Sequence, residues 1–124
     1  MNIVKQIPAY LLAVAFLVFG LNFFLHFFPI PSPENPDSDS AKYMALMMNS
    51  GYMKFVKVLE VIGAVLLFIP RTRAIGLCII VPIVVNIFAF HAFIDGKATD
   101  AIIWVVLSVL AIYFDKDKFS GMLA

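Results

Sequence analysis

Charge is what this sequence has least of. Only 14% of its 124 residues are Asp, Glu, Lys or Arg. The runs from Tyr10 to Phe28 and from Ala74 to Ile94 carry no charge apart from protonation of His26 and His91. Nine Lys and Arg stand against eight Asp and Glu. This balance leaves neither a basic surface for nucleic acid nor an acidic solvating tail, and nucleic-acid binding is set aside. Cysteine is nearly absent too: Cys78 alone lies in an apolar run, which excludes an intrachain disulfide framework and a thiol-redox pair. There is no glycine-rich phosphate loop and no spacing that suggests a Ser-His-Asp arrangement, so covalent catalysis has no recognisable apparatus.

What the chain does have is hydrophobic length. It is 63% hydrophobic with mean hydropathy +0.99, outside the range of soluble globular domains. A hydrocarbon core about 30 Å thick needs roughly 20 helical residues, and four segments approach that length: 8–28, 52–70, 73–95 and 98–115. The uncharged run from Gln6 to Pro33 is too long for the core of a cleavable leader and lacks a close small-x-small site, so the first segment reads as a span. Trp104 and Tyr113 are expected as interface anchors of the fourth. Pro70-Arg71-Thr72-Arg73 and Asp95-Gly96-Lys97 permit only tight turns, whereas PIPSPENPDSDS reads as an extended loop. Beyond it, residues 40–50 predict a short interfacial helix, with Asp39 or Ser40 as cap, Gly51 as stop and Met44, Met47 and Met48 on one stripe.

The expected fold is therefore all-α: a single domain over 1–124, a four-helix transmembrane bundle with a short interfacial helix in the first extracytoplasmic loop. Lys5, Arg71, Arg73, Lys116 and Lys118 flank one side; Lys42, Lys54, Lys57 and Lys97 flank the other. The positive-inside rule then puts both termini in the cytoplasm of a bacterial-type inner membrane.

Polar groups at membrane depth are expensive and therefore informative. Asn22 and His26, four residues apart, are expected on one face of the first helix. Lys57 and Glu60 meet across one turn of the second. Asn86 and His91 lie on the third, about 140° apart on an ideal helix. With alternating helix directions all six fall in the outer half of the bilayer. Their structural readings are an ion pair or interhelical bond for Glu60, glue for the asparagines, interface placement for the histidines and snorkelling for Lys54. Their chemical reading is a ligand site: hydrocarbon disfavours a charged carboxylate, Lys57 favours it, and Glu60 becomes a catalytic proton acceptor or donor. Asn86 and His91 supply hydrogen bonds to a carbonyl oxygen, and Asn22, His26 and Lys57 complete the site. A lipid-accessible quinone meets those requirements. Metal readings, a haem held by His26 and His91 or a facial triad of both with Glu60, have no fixed ligand spacing behind them.

Ser50-Gly51-Tyr52, Lys57-x-x-Glu60-x-x-Gly63 and Pro82-x-x-x-Asn86-Ile87-x-x-x-His91, within residues 50–93, and GLNFFLHFFPIP, residues 20–31, resemble the DoxX-like family of small four-helix membrane proteins. That resemblance covers most of the chain, excluding the last helix. It implies a four-helix membrane fold and a link to quinone-dependent sulfur oxidation and terminal quinol oxidases, with another membrane or redox protein as partner. Three functions are expected from residues and resemblance together. The first is an accessory membrane subunit of a quinone-linked oxidoreductase. The second is a scaffold or assembly factor whose Gly63 and Gly76 admit a partner helix. The third is a carrier of a small solute or lipid coupled to protons through Glu60, for which four spans require a homo-oligomer.

Overall fold

A computed structural model describes residues 3–27 and 35–119. Its regular elements are all helices: α1 (Ile3–Leu25), α2 (Asp39–Ser50), α3 (Tyr52–Phe68), α4 (Arg73–Phe93), α5 (Thr99–Phe114) and α6 (Lys116–Phe119). A 3-10 turn at Pro70–Thr72 links α3 to α4. Two stretches, Ile3–Leu25 and Pro70–Asp95, are long and apolar enough to cross a membrane. α3 and α5, with 17 and 16 residues, are apolar but shorter.

α1, α3, α4 and α5 pack in a ring, each against two neighbours, and α2 lies against α3. Tyr10 faces Phe68 at one end and Gly20 faces Val61 at the other, so α1 and α3 run antiparallel. Inside the ring are small and branched side chains, Ala9, Leu12, Ala13, Ala64, Leu67, Leu77, Ile80 and Val84, all nearly inaccessible. The outside is just as apolar. Leu11, Val14 and Val18 on α1, Val58, Ile62 and Val65 on α3, Ile75 and Val85 on α4 and Ile102, Val106 and Val109 on α5 are exposed. Exposed apolar rows on every helix of the ring are not what water selects.

Close approach, rather than expulsion of water, holds such helices together in lipid. Gly63 and Gly76 provide it: a methyl group on Gly63 would lie 2.7 Å from Ile80 Cγ1, and one on Gly76 would lie 2.9 Å from Gly63 O and Leu67 N. The sequence reading reserved these glycines for a partner helix; they are used instead within the chain, to seat α4 on α3.

Several local expectations are corrected. α1 starts at Ile3, with Pro8 inside it, and ends at Leu25 rather than at 28; residue 28 itself, like most of the Pro-rich loop, lies outside the described residues. α2 is capped by Ser38, whose Oγ accepts from Ala41 N at 3.1 Å, instead of Asp39 or Ser40. Gly51 ends it as expected, at φ +81°, a left-handed conformation open to glycine at little cost. Trp104 is not an outward anchor: it is half-buried and meets Phe16 edge-on, ring centres 5.9 Å apart.

Candidate functional site

Glu60 sits two turns into α3 on the face turned toward the ring, and only 3% of it is exposed. It can be buried there because Lys57 lies one turn earlier, with Nζ 3.0 Å from Oε2. A carboxylate oxygen has two acceptor positions and the ammonium engages at most one of those on Oε2, so the buried oxygen keeps an acceptor position to spare. On the α1 side, Gly20 lets the two backbones close over the pair. A methyl group at position 20 would lie 2.9 Å from Val61 Cγ2 and 3.6 Å from Glu60 Cβ.

Beyond the pair, between α2, α3 and α4, is a cavity of about 360 Å³. α2 contributes Tyr43, Met44 and Met47; α3 contributes Met53, Val56, Lys57 and Glu60; α4 contributes Ile83, Asn86, Ile87, Phe90 and His91. Tyr43 packs on Phe90 at 4.7 Å between ring centres, holding α2 over the opening. The cavity is thus mostly apolar-walled, with a few polar groups on its border, the usual form of a small-molecule site. Its volume is enough for a fused or substituted single ring.

The hydrogen-bond state of those groups defines what they can hold. His91 Nδ1 lies 2.8 Å from Asp95 Oδ2. Asp95 in turn accepts from Lys97 N through Oδ1 at 2.8 Å. A carboxylate partner fixes the hydrogen on Nδ1 and leaves Nε2 as an acceptor in the neutral ring. In that tautomer Nε2 can receive a hydroxyl, whereas donation by His91 to a carbonyl, as expected from the sequence, needs the imidazolium, in which both nitrogens carry hydrogen. Asn86 gives one Nδ2 hydrogen to Pro82 O at 3.1 Å, which leaves its second amide hydrogen and its Oδ1 for a ligand. This bond does not replace the one that Pro82 lacks, since a missing N–H at 82 frees the carbonyl one turn earlier.

Four of the six residues singled out from sequence, Lys57, Glu60, Asn86 and His91, line this one cavity, although Asn86 and His91 lie on different sides of an ideal helix. The cavity is wide enough to be bordered by both. Asn22 is buried, 3% exposed, on α1, and is not among the lining residues. His26 follows the end of α1 at φ +54°; it is exposed, and its N–H donates to Asn22 O at 2.8 Å. The left-handed backbone at His26 breaks the shared helical face. Among the described residues no group of three or more His, Cys, Asp and Glu side chains is placed to hold a metal ion.

Sequence reasoning missed Asp95, which it read only as a turn residue. The signal was the spacing His91-x-x-x-Asp95, one helical turn. It also missed a second polar cluster at the opposite end of the ring. Arg73, read as a flanking charge, is 1% exposed. Its Nε donates to Leu67 O at 2.9 Å, its Nη1 to Gln6 Oε1 at 3.4 Å, and its guanidinium lies over the Tyr10 ring at 5.0 Å. Asp115, just after α5, stands 4.0 Å away, with Lys118 Nζ 4.0 Å from its other oxygen. Lys118 also donates to Pro70 O. One guanidinium thereby ties α1, α3, α4 and α5 together.

Comparison with known proteins adds little chemistry. No family model matches the chain, and no solved structure matches it. A stretch of 72 residues, 57% of this chain, is 38% identical to the uncharacterized protein YwoB of Bacillus subtilis (strain 168). That stretch covers 47% of YwoB, so the chain spans less than half the length of the curated relative that it matches.

Proposed function

We propose that the protein is a four-span integral membrane protein of a bacterial-type inner membrane and binds a lipid-soluble hydroquinone or quinone as accessory subunit of a quinone-linked oxidoreductase. The observation that carries this reading is the buried Glu60 oxygen with an unused acceptor position beside an apolar-walled cavity. Exposed apolar rows on all four helices of the ring support four spans. α3 and α5, about 25 Å long at 1.5 Å per residue, meet a 30 Å core through local thinning and snorkelling of Lys54. The flanking lysines and arginines favour cytoplasmic termini, with α2 on the outer side. The DoxX-like resemblance points the same way.

In this reading the ring lies under α2, with one hydroxyl toward Glu60 and the other toward His91 Nε2. Oxidising a hydroquinone to a quinone releases two protons and two electrons. Glu60 and His91 accept the protons, Lys57 stabilises the carboxylate before transfer, and Asp95 stabilises the imidazolium after it. The electrons pass to a redox centre in a partner protein. The scaffold reading loses its stated support because Gly63 and Gly76 are already engaged.

The test is purification in mild detergent, extraction and identification of bound quinones, and titration of the protein with a reduced quinone. Wild type is expected to carry or bind it, and Glu60→Gln to bind about tenfold more weakly while eluting as a folded species. Equal binding by the two proteins would remove Glu60 from the site; no binding by wild type would remove the reading.

A further inference from the structure

On the other side of the Lys57–Glu60 pair lies a second cavity, of about 240 Å³. Lys57, Glu60 and Ile87 border both cavities, so the two adjoin at the ion pair. The remaining walls of the second are Ala15, Phe16 and Phe19 of α1 and Trp104 of α5. Apart from the shared pair it is walled by apolar and aromatic groups. Phe16 and Trp104 meet at its side, and Phe19, 47% exposed, brings it to the outer surface of the ring.

We infer that the two cavities hold one ligand, a ring under α2 and a hydrocarbon chain that leaves through the seam between α1 and α5. This deepens the proposed function and rests on it. Its basis is where the ring of helices is closed. Gly20 draws α1 onto α3 beside the ion pair, and Gly63 and Gly76 draw α4 onto α3. α2 covers the large cavity from outside. The α1–α5 seam has instead the aromatic slot, which starts at the polar groups and ends at the lipid-facing surface. A chain there stays in hydrocarbon-like surroundings throughout. It gains little over the bilayer itself, so the slot acts by allowing the chain out rather than by adding affinity. The ligand class is thereby an amphipathic ring with a prenyl or alkyl tail, laid across the ion pair.

The experiment plugs the slot. Ala15 borders the second cavity and not the first, and Ala15→Phe fills a large part of it. Wild type and variant, in nanodiscs of one lipid composition, are titrated with reduced dimethoxy-methyl-benzoquinone without a chain and with the same ring bearing a decyl chain. The expected result is similar affinity of wild type for both, corrected for partition into the bilayer. In the variant the chain-bearing probe should lose about tenfold or more, and the bare ring less than about twofold. Helix content and elution volume report folding. If Ala15→Phe misfolds, Ala15→Leu should give the same selective loss, smaller in size. An undiminished chain-bearing probe means the chain leaves elsewhere and overturns the inference alone, as does an equal loss of both probes. Failure of wild type to bind either probe overturns the proposed function along with it.

Discussion

Two ion pairs, one at each end of the ring, are built in opposite ways. Lys57 and Glu60 belong to one helix, one turn apart; their contact forms as soon as α3 does and ties nothing to anything else. Arg73 begins α4 and Asp115 follows α5, and the guanidinium also holds Leu67 O and Gln6. Removing the first pair should leave the fold standing, because the bundle does not depend on it. Removing the second should not. The local pair faces a cavity and joins no elements, whereas the Arg73 cluster joins α1, α3, α4 and the end of α5.

The largest expected effect is therefore at the Arg73 end. Arg73→Ala strands Asp115 in a nearly closed site and should lower stability by about 3–5 kcal/mol, read as a reduced midpoint in denaturing-detergent unfolding. Adding Asp115→Asn should recover part of that loss, since the stranded charge goes with it. Full stability of Arg73→Ala would deny the Arg73–Asp115 pair its fixing role. Next, Gly76→Ala sets a methyl group 2.9 Å from backbone atoms of α3; the strain should exceed the gain in helix propensity and leave a net loss of about 1–2 kcal/mol by the same measurement. At the Glu60 end, Glu60→Gln should change stability by less than about 1 kcal/mol, because the partly exposed Lys57 can turn its ammonium outward. A loss as large as that of Arg73→Ala would make the two ends alike and erase the contrast. Smallest is Asp95→Asn. It removes the carboxylate that fixes hydrogen on His91 Nδ1, so imidazole nitrogen shifts should show mixed tautomers, and hydroquinone affinity should fall about threefold with stability unchanged.

The same contrast explains what could be read from the sequence. Helix positions were legible because long apolar runs broken by Pro-Arg-Thr-Arg and Asp-Gly-Lys leave few alternatives. Lys57–Glu60 was legible because its geometry is set by helical period alone. Arg73–Asp115 was not: nothing local couples two residues on α4 and after α5, and an arginine beside a turn looks like any other flanking charge. The glycines were recognised as places of close approach, but sequence cannot say whether the approaching helix belongs to the same chain. His26 failed for a backbone reason. Its face on α1 extends past the point where the helix ends in a left-handed residue, so His26 keeps a backbone bond to Asn22 but does not line the cavity.

α2 buries none of its own residues. Met44 and Met47 reach toward the bundle and find a hollow, so this amphipathic helix rests on the Tyr43–Phe90 stack and on the left-handed joint at Gly51. Any molecule that fills the hollow becomes the missing part of its core. Filling should consequently be felt first in the amides of residues 39–50, whose exchange with solvent deuterium slows while the helices of the ring stay as they were. The ligand would then serve as a folding determinant for the element that covers it.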